Sequence, residues 1–216
     1  MQVGKWGNSL AVRLPAALVE ALDLKEGDEI EIEVADPHRF RLARDTRREE
    51  ALETLRGLGW HLPPDYRFDR EEARWARRMS LAFLDTNILV YAALQADPRA
   101  EAARALLARG GVVSVQVLNE FVAVARRKLR RPWPEIHQAL AAIRACCPAP
   151  RPLTLAMHEA ALGLAERYGF SMYDALIVAA ALEASCETLF SEDMQAGQVV
   201  EGQQGRLTIR NPFAAA

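Results

Sequence analysis

Glu29, Glu31 and Glu33 alternate with Ile30, Ile32 and Val34, a period of two that predicts a strand buried on one face only. Similar short alternations surround it. Val3-Gly4-Lys5-Trp6 runs into a Gly7-Asn8-Ser9 turn and then Leu10-Ala11-Val12-Arg13-Leu14, which predicts two short strands tightly joined. Pro15 suits a first helical position, so Ala16 to Leu22 reads as a short helix. Lys25-Glu26-Gly27-Asp28 and Asp36-Pro37 are turn signals, and Arg39-Phe40-Arg41-Leu42 follows the second of them. A unit this small cannot bury its apolar faces alone, so residues 1–43 are expected to pair with a second copy.

Residues 44–78 break this pattern. Charges dominate, and Leu62-Pro63-Pro64 stops any long helix. Leu52, Leu55, Leu58, Trp60, Tyr66, Phe68 and Trp75 are large apolar residues with no core of their own. Such a segment orders on a partner surface, with aromatics as anchors; a flexible linker would not need so many.

From Met79 the periodicity changes again. Leu81 to Leu84 is a continuous apolar run, as in a strand buried on both faces. Helical patterns follow at 88–94 and 99–108, and Gly110-Gly111 leads into an expected strand at 112–115. Further helices are expected at 116–130, 134–145, 156–168 and 171–184, with strands at 187–190 and 207–210. Strands alternating with helices make an α/β fold, a mostly parallel sheet with helices on both faces. Its functional site belongs at the carboxyl ends of the strands.

Composition narrows the classes. At 216 residues the chain has room for one large domain or two small ones. A net charge of -2 excludes a uniformly basic coat, so any nucleic acid must be held by local patches, such as Arg126-Arg127-Lys128-x-Arg130-Arg131. Cys146, Cys147 and Cys186 form no Cys-x-x-Cys pair, and the four histidines lack metal-ligand spacing, which argues against a disulfide framework or a zinc site. The start lacks an apolar signal core, and the longest apolar run, Ala175 to Leu182, falls far short of the ~20 residues of a membrane span. A cytoplasmic protein without a membrane partner is expected.

Four carboxylates stand where strands end or helices begin: Asp85, Glu120, Asp174 and Asp193. Each has an ordinary explanation. Asp85 suits a helix cap, although Thr86 and Asn87 offer the same service. Glu120 lies at the margin of an apolar stripe, Asp174 completes a capping box with Ser171, and Asp193 sits in a Ser-Glu-Asp turn. Gathered at one sheet edge, however, four acids repel and resist desolvation unless a cation lies between them. Oxygen ligands without His or Cys point to Mg²⁺ or Mn²⁺.

Residues 79–216, with Leu-Asp85-Thr-Asn, Asn-Glu120-Phe, Tyr-Asp174-Ala-Leu-Ile and Ser-Glu-Asp193-Met-Gln, resemble the PIN-domain ribonucleases of the VapC toxin type. The beginning of the chain, with Lys5-Trp6-Gly7-Asn8-Ser9-x-Ala11-Val12-Arg13-Leu14-Pro15, resembles the swapped-hairpin, barrel-forming DNA-binding domain of VapB and MazE antitoxins. Toxin and antitoxin are normally separate proteins, so the resemblance implies a fused pair. It implies an endoribonuclease whose Asp85, Glu120, Asp174 and Asp193 hold Mg²⁺ or Mn²⁺, with Thr86 and Ser191 as hydroxyl helpers. It also implies that 44–78 is an inhibitory tail, an arginine of which enters the site. Arg77 and Arg78 precede a strand start ~15 Å from the site end, so Arg70 or Arg74 is expected there within one chain. Lys5, Asn8, Ser9 and Arg13 are the expected contacts to operator DNA, with RNA as substrate. Two competing readings are a repressor whose nuclease half is permanently silenced and a Mg²⁺-dependent aspartyl phosphatase. The latter normally has a second acid where Asn87 stands.

Overall fold

The computed structural model describes residues 3–6, 9–25, 30–36, 39–62, 82–202 and 205–214. Arg70, Arg74, Arg77, Arg78, Asn8, Tyr66, Phe68 and Trp75 lie outside the described residues, as do Gly7, Glu26, Gly27, Asp28 and Pro37 of the expected turns. The chain divides into two compact units, Met1–Thr46 and Arg47–Ala216.

In the first unit β1 (Val3–Trp6) pairs antiparallel with β2 (Ser9–Val12), placing Lys5 opposite Leu10. The short helix α1 (Ala16–Ala21) follows Pro15. β3 (Ile30–Asp36) pairs antiparallel with β4 (Arg39–Arg44), with an irregularity between Val34 and Asp36. These are two separate two-stranded sheets within one chain. Val12, Ile30 and Ile32 are 42%, 39% and 59% exposed, and α1 buries no residue.

The second unit opens with α2 (Arg47–Gly57), a helix not foreseen in the charged stretch. Ala51 and Leu55, one turn apart, are buried, with Leu52 and Leu58 packed against the same core. The chain then delivers Trp60, whose side chain is fully buried. The four-stranded sheet has the order β5 (Ala82–Leu84), β6 (Thr188–Phe190), β8 (Gly205–Arg210), β7 (Val199–Gly202). β5, β6 and β8 are parallel, and β7 is an antiparallel edge strand. Between β5 and β6 lie α3 (Thr86–Ala93), α4 (Ala100–Ala108), α5 (Val115–Arg127), α6 (Trp133–Cys146), α7 (Leu155–Tyr168) and α8 (Met172–Glu183). Every residue of α3 is buried, as are eight consecutive residues of α8, which is why both read as apolar all round.

The expected strand at 112–115 is shorter than its apolar run. Val112 bridges Phe83, exchanging backbone bonds of 2.9 Å with Ala82 and Leu84. Ser114 then caps α5, its hydroxyl accepting from the Val117 amide, so Val115 begins a helix. The approach to β5 explains Gly111, where a Cβ would meet the Leu84 side chain at 2.9 Å. No helix among the described residues is long and apolar enough to cross a membrane.

Candidate active site at the carboxyl edge of the sheet

β5 and β6 are parallel neighbours, so the residues that leave them emerge side by side. The Asp85 amide donates to the Phe190 carbonyl at 3.0 Å, and the Ser191 amide to that of Arg210, also at 3.0 Å. These two bonds carry the sheet ladder one step beyond its last strand residues. Asp85 and Ser191 are thereby fixed as a pair.

Asp85 is buried and caps α3, its Oδ1 accepting from the Thr86 amide at 2.6 Å. Its Oδ2 accepts from the Ser191 hydroxyl at 2.6 Å and from Asn87 Nδ2 at 3.2 Å. Capping and site chemistry therefore share one carboxylate, which frees the side chains of Thr86 and Asn87. The Thr86 hydroxyl donates to Glu120 Oε2 at 3.0 Å, and Gln116 donates to Glu120 Oε1 at 2.7 Å from one turn earlier on α5. Asn87 Nδ2 also donates to Asp193 Oδ2 at 3.3 Å. The structure thus links Asp85, Glu120 and Asp193 through Thr86 and Asn87.

Asp174 stands apart from this network. It lies in the first turn of α8, where its carboxylate accepts from the Ser171 hydroxyl at 2.7 Å and its amide donates back at 3.2 Å. The amide-to-hydroxyl bond is the N-cap of α8, with Ser171 as the capping residue. Glu192 is held elsewhere, by Tyr91 and Arg99.

Burial dominates the Asp85 electrostatics and pushes its carboxyl up to about 7. The bonds from Ser191 and Thr86 oppose the rise, and the charges of Glu120 and Asp193 add to it. Asn87 Oδ1 is buried without a hydrogen-bond partner. A desolvated carboxylate beside an orphaned amide oxygen lacks a positive charge, and hard oxygen donors fit a divalent cation. As placed, no group of three or more His, Cys, Asp or Glu among the described residues is arranged to hold a metal. The donor chemistry fits, with Asp174 engaged by Ser171 and not by this network.

In the first unit, Lys5 and Arg13 are exposed, and Ser9 opens β2.

Residues 82–200, more than half of the chain, match the PIN domain family. The chain belongs to that family. Ahead of its PIN domain, residues 4–42 match the family described as antidote-toxin recognition MazE, bacterial antitoxin. Antitoxin MazE of Escherichia coli O157:H7 is 40% identical over 63 residues, which is 29% of this chain and 73% of the relative. The crystal structure of Mycobacterium tuberculosis VapC20, a sarcin-ricin loop cleaving toxin, covers 52% of this chain and 91% of its own at 23% identity, with a TM-score of 0.43. A MazE-type antitoxin segment and a PIN domain thus share one polypeptide.

Sequence reasoning singled out Asp85, Thr86, Ser191 and Asp193, which meet. It treated Asn87 as a spare cap, where the structure makes it the link between two carboxylates. The signal was available: a buried amide at the third position of Asp-Thr-Asn, two residues after a strand-end acid, faces the same edge. Gln116 was passed over because a polar residue early in an amphipathic helix carries no signal of its own.

Proposed function

We propose that the PIN domain is a Mg²⁺- or Mn²⁺-dependent endoribonuclease, inhibited in the intact chain by the segment 44–78, and that residues 1–43 bind operator DNA as a self-associated unit. The observation carrying the catalytic part is the linkage of Asp85, Glu120 and Asp193 at one sheet edge around a buried carboxyl raised to about 7. Asp85, Glu120 and Asp193 would hold the metal together with Asp174. When bound, the metal would supply a nucleophile from water and neutralise charge on the phosphodiester. The chain's own groups do the rest. Ser191 holds Asp85 by donation, Thr86 and Gln116 hold both oxygens of Glu120, and burial keeps bulk water from screening the Asp85 charge. Thr86 and Ser191 orient carboxylates in this reading, which is their helper role.

Inhibition draws support from the segment's first half. Leu55 and Trp60 are fully buried in the core of the second unit, and the Trp60 ring stacks on Phe121 with centroids 5.8 Å apart. Phe121 follows Glu120 on α5, so the segment is anchored beside a site residue. A guanidinium from Arg70 or Arg74 is the proposed plug, a shape that matches carboxylates bidentately.

The test keeps the whole chain. Arg70→Ala/Arg74→Ala should raise RNA cleavage in Mg²⁺ at least tenfold over the parent, and a chelator or added Asp85→Asn should abolish it. A silent double variant that still binds DNA would favour the silenced-repressor reading, which the buried Trp60 also supports. Turnover of a phosphate monoester in place of RNA would favour the phosphatase reading. On the DNA side, Arg13→Ala should weaken operator binding, with affinity falling steeply as salt rises. A flat salt response would remove residues 1–43 from that role.

A further inference from the structure

Glu192 lies between Ser191 and Asp193, the two residues of its turn that reach the candidate centre, yet its own carboxylate is bound in a second cluster. Arg99 Nη1 donates to both Glu192 oxygens at 3.0 Å. The same guanidinium donates through Nε and Nη2 to the two oxygens of Asp97 at 2.8 and 2.7 Å. The Tyr91 hydroxyl donates to Glu192, and the Arg99 guanidinium stacks on the Tyr91 ring at 4.0 Å. Phe213 closes the other side of that ring system edge-on, centroids 5.2 Å apart. The Asp97, Arg99 and Glu192 side chains are only 6%, 10% and 15% exposed.

Three properties make this more than an ion pair. The turn Ser191-Glu192-Asp193 is neither helix nor strand, so side-chain bonds must hold its shape. An arginine fork is directional, and one planar group binding two carboxylates fixes both against each other. Finally, a Glu192 occupied by Arg99 leaves the turn with one carboxylate, that of Asp193, to offer the centre. Buried charges so arranged are costly to separate, which gives the clamp its rigidity.

We propose that Arg99 is a positioning residue for the PIN-domain reaction: by binding Asp97 and Glu192 together, it sets the turn that follows Ser191 and brings Asp193 to the Asp85 centre. The proposal rests on the nuclease reading above. Arg99 touches neither RNA nor metal in it and acts only through the turn. Because α3 supplies both Asn87 and Tyr91, the clamp and the centre share one rigid helix.

The test uses the full chain carrying Arg70→Ala/Arg74→Ala as parent. Mn²⁺ affinity is measured by calorimetry, RNA cleavage as kcat and KM separately, and melting alongside. In Arg99→Ala, Mn²⁺ affinity and kcat should each fall at least tenfold, with the KM for RNA unchanged. Arg99→Lys keeps the charge but serves one partner at a time, so it should recover part of the loss. Glu192→Gln cuts the turn end of the clamp while leaving Arg99 on Asp97, and should reproduce the Arg99→Ala defect; it also serves if Arg99→Ala fails to fold. Combining the two should add nothing, as expected of groups acting as one unit. Lower melting temperatures with parental Mn²⁺ affinity and kcat would show a merely structural role and overturn the proposal alone. A parent that neither binds Mn²⁺ nor cleaves RNA would overturn the nuclease reading, and the positioning role with it.

Discussion

The antitoxin-like strands and the charged stretch behind them spend their apolar residues in opposite ways. In the first unit, Ile30 and Ile32 follow a clean two-residue alternation and remain substantially exposed. In 47–60, where charge obscures any pattern, Leu55 and Trp60 are completely buried. Periodicity decides which face a residue shares with its neighbours. Whether that face is covered depends on a surface supplied by another part of the chain or another copy. α2 packs against α6, α4 and α3 and finds that surface within its own polypeptide. In the hairpins of the first unit, by contrast, Val12, Ile30 and Ile32 stay exposed.

The largest expected break in this contrast comes from Trp60→Ala. The indole stacks on Phe121, its Nε1 donates to Glu135 at 2.9 Å, and the Arg131 guanidinium lies 5.6 Å from its centroid. Removing it should cost the second unit ~3–5 kcal/mol in denaturant unfolding. A loss below ~1 kcal/mol would mean the slot collapses freely and the segment is a tether only.

Asp85→Asn acts next, and in the opposite direction. A carboxyl raised from 3.8 to about 7 binds a proton more tightly folded than unfolded, so the metal-free chain loses stability as pH climbs between those values. The variant lacks this penalty. It should therefore be more stable than the parent by about 2–4 kcal/mol at pH 8 without metal, with the gain vanishing toward pH 4. Excess Mg²⁺ should restore the parent and leave the variant behind. An advantage that does not change with pH would disprove the buried-charge account.

Ile32→Ala should be the mildest for the fold, leaving unfolding of the second unit within ~0.5 kcal/mol. Its effect should appear in sedimentation equilibrium, as a self-association weakened by roughly tenfold. Unchanged association would place the interface away from this strand face.

Much of the second unit could be read in advance because its signals were local and agreed with one another. The apolar run before Asp85 and the Ser171 cap each mark an element boundary, whereas the Ser114 cap was hidden inside an apolar run read as strand. α2 escaped because its three-residue and four-residue apolar spacings sit among six charges of mixed sign in eleven residues, and only a distant surface reveals the buried side. β7 escaped because Val199–Gly202 is an edge strand whose pattern is too short to declare itself. In the site, Asp85 and Asp193 were legible from strand ends. The division of labour between Asp174, held by the α8 cap Ser171, and Asn87, which bridges two acids, depends on side-chain geometry that spacing does not encode.

The last consequence belongs to Trp60 and to Arg48 of the same segment, whose guanidinium would meet a Cβ at Gly110 at 3.0 Å. Gly110 has φ +74, a backbone conformation that resists substitution by any residue with a Cβ. Together they make residues 47–60 a key cut for one lock. Chimeras that exchange the MazE-like region with a relative should tolerate a junction at residue 46. A junction at 78 would import a foreign helix and leave the indole slot to whatever side chain arrived, so recombination between such pairs should respect the first seam and punish the second.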